Sequence, residues 1–165
     1  MKKFVLIGLI ILFLIFMNQS KVYASPVVAA RVRDYDALTS HWTLLFGLPI
    51  SLMQAIICVE SGGNPDSVSS VGALGLTQVM PATLPDINVM LGKQYSPDDL
   101  YTPDVSIECG ARYLSWLVNI FQGDQTLAIR AYNAGPGNVQ KDKSVSQDYL
   151  DKVLAYQSLI ETGEA

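Results

Sequence analysis

The chain has 165 residues, 50% of them hydrophobic and 16% charged, with 11 basic against 15 acidic side chains and a net charge of −4. That balance excludes a phosphate-binding surface of clustered Lys and Arg, and with it nucleic acid as a partner. One histidine (His41) and two cysteines without C-x-x-C spacing supply no metal-ligating pattern, and no cofactor is expected.

In chain order, residues 1–24 read as a secretory leader. Lys2 and Lys3 precede an uncharged apolar run from Phe4 to Met17, and small residues at Val22–Ala24 suit cleavage before Ser25. The run holds 14 residues, short of the roughly 20 that a spanning helix needs, so a cleaved leader is favoured over a retained anchor. Cleavage removes Lys2, Lys3 and Lys21, leaving 8 basic residues against 15 acidic ones, a net charge of −7. An exported domain of that charge holds anionic membranes or wall polymers by groove contacts rather than by simple attraction.

Residues 25–46 form an N-terminal helical extension, with a helix over Asp34–Phe46 stopped by Gly47. Residues 47–161 make one further domain. Pro49 fits the first turn of "PISLMQAIICVE", where Leu52, Met53, Ile56 and Ile57 recur at helical spacing. Ser61–Val71 is irregular, and Gly75–Gly92 reads as two short helical pieces broken near Pro81. Thr102 and Pro103 open a long helix that Gly123 ends. Asp124 caps "QTLAIRAYNAG", and a last helix runs from Ser146 to Ile160. Strand signals are weak throughout. The fold class is therefore all-α, with a small irregular or β element within Ser67–Leu76.

Cys58 and Cys109 permit one disulfide, the alternative being two buried free thiols. The oxidising setting of an exported protein allows the bridge, and the expectation that both cysteines lie in helices facing the same site tips the reading towards it. Trp42 and Trp116 are better suited to core packing than to sugar stacking.

Glu60 stands where the apolar helix meets a Gly/Ser/Asn/Pro-rich loop, with no second acid beside it. Burial and a helix C-terminus both disfavour the ionised form, so such a carboxyl stays protonated near neutrality and can donate to a leaving oxygen. A surface glutamate at a helix end is the plainer reading.

The surrounding blocks add to this. They comprise Glu60–Ser61, Asn64–Pro65, Ser69, "GALGL" at Gly72–Leu76, Gln78 and "MPAT" at Met80–Thr83. Further along come Ile107, Gly110, Tyr113 and Leu114, then "AYNAGPGNV" at Ala131–Val139, then Tyr149, Leu150 and Val153. In this order they resemble the lytic transglycosylase family, over roughly Leu48–Leu154. The resemblance implies a compact helical lysozyme-like domain with a groove. The implied target is peptidoglycan, cut between N-acetylmuramic acid and N-acetylglucosamine. Glu60 is then the general acid, and afterwards the base that draws the muramic acid C6 hydroxyl onto C1 to leave a 1,6-anhydro end.

With the nucleophile supplied by the sugar, a second carboxylate is unnecessary. Asp66, Asp86 and Glu108 fit turn or structural roles better. Implied substrate contacts are Ser69, Gln78, Tyr132, Asn133 and Tyr149, with the Tyr132 hydroxyl aimed at Glu60. Two positions depart from the family pattern. Thr77 replaces a methionine at the groove floor, making the groove smaller and more polar there, and Ser106 replaces an asparagine. A hydrolytic muramidase and a non-catalytic wall-binding factor are the competing readings. The small size is similar to that of enzymes opening local gaps for envelope-spanning secretion, conjugation or pilus machines.

Overall fold

Helix α3 (Ile50–Ser61) is buried from Ser51 to Cys58, and the other helices pack around it. A helix apolar on nearly every face is stable only when enclosed, which fixes its central place. The computed structural model describes residues 24–163; the expected leader, apart from Ala24, lies outside the described residues.

Preceding α3 are α1 (Pro26–Val32), a 3-10 turn (Arg33–Tyr35) and α2 (Asp36–Phe46). After it come α4 (Leu84–Leu91), a second 3-10 turn (Pro97–Tyr101), α5 (Pro103–Ile120), α6 (Gln125–Ala134), α7 (Pro136–Lys141) and α8 (Gln147–Thr162). The most extensive helix contact is between α3 and α8, while α2 and α6 both pack on α5. Two isolated antiparallel bridges, Val68 with Leu74 and Leu74 with Val79, are the β element among the described residues.

Residues 25–46 are built into this core. Ala29 and Val32 are 2% and 1% exposed and belong to the same apolar cluster as Ile56 and Ile57. Arg31 donates to the Gly62 carbonyl at 3.1 Å and Tyr35 to that of Gly63 at 3.4 Å, so this segment braces the loop after α3. The Trp42 indole donates to Asp104 at 2.8 Å and its ring stacks on Phe46, tying α2 to α5.

Three expectations are corrected. The segment from Gly75 to Pro81 is a tight turn: Leu74 and Val79 exchange backbone hydrogen bonds of 3.0 and 3.1 Å. Gly75 and Gln78 lie at φ of +75° and +51°, left-handed positions that interrupt a helix. Gly75 is also the only residue type that fits there, since a Cβ would lie 2.0 Å from the Leu100 carbonyl oxygen. Second, no helix was expected between Gly135 and Ser146, yet Pro136 takes the first position of α7, where its fixed φ favours helix entry.

Third, the cysteines are not bridged. Cys58 packs in the cluster around α3, whereas Cys109 packs with Leu74, Val79, Leu84, Ile87 and Leu100 on the other side of α5. Burial pushes both thiols up to about 12, so neither is a ready thiolate. Alkylation under denaturing conditions without reductant is expected to add two groups to the protein; an unchanged mass would restore the disulfide.

Candidate active site

Glu60 lies in the last turn of α3, two residues before Gly62, which ends the helix in the left-handed conformation at φ +61°. Arg31 holds the Gly62 carbonyl, so the chain leaves the helix along a fixed path. The Glu60 side chain is half-buried, and that burial pushes its pKa up to about 7. One interaction opposes that rise. The hydroxyl of Tyr149, in the first turn of α8, donates to Glu60 Oε1 at 2.6 Å and favours the ionised form.

Tyr132 does not take the place expected for it. Its hydroxyl donates to the Thr77 carbonyl at 2.9 Å, although it remains close enough to Glu60 for that charge to raise its own pKa. Glu60 thus faces two phenols from two helices. Tyr149 bonds it directly, and Tyr132 links its surroundings to the loop after α3. Glu108, the acid on α5, is buried and accepts from the Tyr95 hydroxyl at 2.6 Å, while Asp66 and Asp86 are exposed.

The loop from Gly62 to Thr83 ties itself together. Asn64 Oδ1 accepts from the Asp66 amide, and Ser69 Oγ accepts from the Ala73 amide at 2.9 Å. The Gln78 side-chain amide donates to the carbonyls of Ser67 (3.0 Å) and Gly75 (2.9 Å), offsetting the strain of its own positive φ.

Thr77 is fully buried, away from any groove floor. Its hydroxyl donates to the Ser106 carbonyl at 2.7 Å and lies 3.2 Å from the Ser106 hydroxyl, and its amide donates to Ser106 Oγ. The two departures from the family pattern therefore touch each other. Gly110 makes room for this crossing, since a Cβ there would meet Thr77 Cβ at 2.6 Å. Thr77 reaches the site through its backbone carbonyl, which receives the Tyr132 hydroxyl.

A cavity of about 200 Å³ opens beside this constellation, with Gln78, Met80, Thr83, Tyr113, Tyr132 and Asn133 in its wall. A second cavity of about 380 Å³ shares Thr83 and Tyr113 with it and adds Asp86, Met90 and Trp116. Together they form a polar–aromatic trough of the kind that holds extended ligands. Gln78, Tyr132 and Asn133 meet on one wall, while Ser69 lies outside it, engaged in its own loop. Trp116, expected in the core, is half-buried and stacks with Tyr113 at the trough. Asn133 is exposed, and its side-chain oxygen accepts from the Ser146 hydroxyl at 2.8 Å.

The family model for the transglycosylase SLT domain matches residues 38–154. The chain belongs to the SLT transglycosylase family. It is 34% identical over 127 residues to the soluble lytic murein transglycosylase of Escherichia coli K12, covering 76% of this chain and 20% of that protein. It is 35% identical over 137 residues to the membrane-bound lytic murein transglycosylase C of Photorhabdus laumondii, covering 74% of this chain and 38% of the relative. The match thus spans well under half the length of these relatives. Among solved structures it is similar to an inactive glutamate-to-glutamine mutant of the lytic transglycosylase Slt from Pseudomonas aeruginosa. That likeness has a TM-score of 0.72 at 32% identity, over 78% of this chain and 24% of that one. A soluble lytic transglycosylase in complex with bulgecin A superposes with a TM-score of 0.73 at 28% identity, over 79% of this chain and 24% of that one. The fold of this SLT domain is the helical, lysozyme-like one of those structures.

The raised Glu60 pKa has a consequence for stability. Between pH 4.5, its ordinary value, and about 7, the folded SLT domain keeps a proton that the unfolded chain releases. Stability therefore falls as pH rises through that window, by about 3 kcal/mol once the buried carboxyl is ionised. Glu60→Gln removes this cost. Urea unfolding is expected to show the variant more stable than wild type at pH 8 by about 3 kcal/mol, with little gain at pH 4. An equal difference at both pH values would contradict a buried, proton-holding Glu60.

Proposed function

We propose that this SLT domain is a peptidoglycan lytic transglycosylase that cuts the β-1,4 bond from N-acetylmuramic acid to N-acetylglucosamine. The observation that carries the reading is the state of Glu60. It is a half-buried carboxyl poised at about 7, and among the described residues the influences on it are burial and one phenol, with no carboxylate. A two-acid glycosidase places its second carboxylate about 5–9.5 Å away, where it would raise the first by like-charge repulsion. The names of the relatives, and the inactivity of a glutamate-to-glutamine mutant of one of them, support the same reading.

The steps balance with one side chain. Protonated Glu60 gives its proton to the glycosidic oxygen as the bond from C1 to that oxygen breaks. The carboxylate formed is held by the Tyr149 hydroxyl, an interaction stronger in this state than before it, and so one that lowers the barrier. Glu60 then accepts the proton of the muramic acid C6 hydroxyl while its oxygen closes on C1. The product carries a 1,6-anhydro end, and Glu60 is again protonated. A pKa near the working pH suits a group that must give and take the same proton. Gln78 and Asn133, on the trough wall, are the proposed contacts for the amide and hydroxyl groups of the glycan.

The proposal extends to the setting. The protein acts in the periplasm or cell envelope after export, on local patches of wall, where an envelope-spanning secretion, conjugation or pilus machine requires a gap. The leader-like residues 1–24 and the wall-directed names of the relatives support the location in the envelope.

Digestion of purified sacculi followed by mass spectrometry is expected to show muropeptides with 1,6-anhydro ends. Glu60→Gln is expected to slow their release by roughly 100- to 10,000-fold, and Tyr149→Phe by roughly 10- to 100-fold through kcat. Equal release by wild type and Glu60→Gln would overturn the catalytic assignment.

A further inference from the structure

We propose that Arg130 is a positioning residue for the Glu60–Tyr149 pair, acting by clamping the segment that launches α8. The proposal rests on the reading of Glu60 as the proton-handling group.

Arg130 lies in α6, two residues before Tyr132 and three before Asn133, and is only 7% exposed. A guanidinium so placed needs its hydrogen bonds satisfied. They go to one short segment: Arg130 Nη1 donates to the carbonyls of Ser144 (2.9 Å) and Val145 (2.6 Å), and Nη2 donates to Gln147 Oε1. The planar fork of arginine is what allows one side chain to span all three acceptors.

Asn133, on the same helix face three residues on, accepts the Ser146 hydroxyl at 2.8 Å. Residues 144–147 are therefore gripped at four points by one helix. The segment has reason to need gripping. Ser146 precedes α8 at φ +58° and ψ +37°, a left-handed position uncommon for a residue other than glycine, asparagine or aspartate. The Leu150 amide donates to the Ser146 carbonyl at 3.0 Å and closes the first turn of α8. Tyr149 sits in that turn, three residues after Ser146, with its hydroxyl on Glu60. The strained residue thus sets the start of the helix, and the clamp on it sets where the phenol arrives.

The charged and titratable groups around the pair are few. Glu60 is faced by Tyr149 from α8 and Tyr132 from α6, and on the α1 side Arg31 and Tyr35 bind the neighbouring Gly62 and Gly63 carbonyls. Arg130 itself acts on Asp142, whose carboxyl is held below its usual range chiefly by the Ser144 hydroxyl and amide and less by the guanidinium. Because Arg130 carries charge, the test must separate charge from grip.

Arg130→Lys keeps the charge and loses the fork, and Ser146→Ala removes the tie to Asn133 without changing charge. The readout is the titration of the Glu60 carboxyl by carbon NMR in protein labelled at glutamate, with the resonance assigned from Glu60→Gln. Tyr149→Phe is expected to raise the midpoint by roughly 1 unit, because it deletes a donor to the ionised form. Both clamp variants are expected to raise it in the same direction, and Arg130→Lys combined with Tyr149→Phe to add nothing beyond Tyr149→Phe alone.

Folded clamp variants with the wild-type midpoint would overturn the proposal, leaving Arg130 a purely structural residue. If Arg130→Lys does not fold, Gln147→Ala, which removes the acceptor of Arg130 Nη2, decides in its place. The titration needs no turnover. A wild type inactive on sacculi would therefore overturn the proposed function, and an unmoved midpoint would overturn the clamp, independently of each other.

Discussion

The site depends on a hydrogen bond between two helices that are far apart in sequence and packed together in the core. Tyr149 at the start of α8 meets Glu60 at the end of α3 at 2.6 Å, in a place where burial alone would keep the carboxyl neutral. Burial makes Glu60 an acid near pH 7, and the phenol makes its conjugate base tolerable. Neither effect alone gives a group that can hand over a proton and take it back. The extensive packing of α3 on α8 is what places the two groups together, since a charge-assisted hydrogen bond of this length leaves little positional freedom.

A second constraint lies in the loop between α3 and α4. It must leave the helix abruptly at Gly62, pass close over α5 and return to the trough. Gly75 permits the close pass, Gln78 ties the turn to the strand-like residues before it, and Thr77 is buried against Ser106 and Gly110. The Thr77 carbonyl then receives Tyr132. Exchange of a methionine and an asparagine for threonine and serine at facing positions is one change rather than two. Thr77 and Ser106 hold the crossing by hydrogen bonds, and the trough wall is left to Gln78, Tyr113, Tyr132 and Asn133.

Much of this was legible in the residues. The long helix from Pro103, the Asp124 cap and the central apolar helix were read from periodicity and capping, because those signals are local. The position of Glu60 between an apolar helix and a glycine-rich loop was ambiguous alone, and the ordered blocks around it singled it out. What escaped was non-local. The turn at Gly75–Val79 depends on the close approach of Leu100, which no local pattern reports. The assignment of the two tyrosines was exchanged, because which phenol reaches the acid depends on the packing of α8 against α3. The cysteines face different clusters although their helices share one, so an even count in an exported chain was a poor guide to a bridge. Arg130 carried no motif signal, since its acceptors are carbonyls fourteen and fifteen residues on.

The central claim is that one carboxyl suffices because the substrate brings its own nucleophile. Digestion of peptidoglycan in water enriched in oxygen-18 tests it most directly, by mass analysis of the newly formed muramic acid ends. Intramolecular closure by the C6 hydroxyl leaves those ends unlabelled and lighter by one water than a hydrolysed end. Incorporation of the heavy oxygen at C1 would show that water is the nucleophile and would contradict the account.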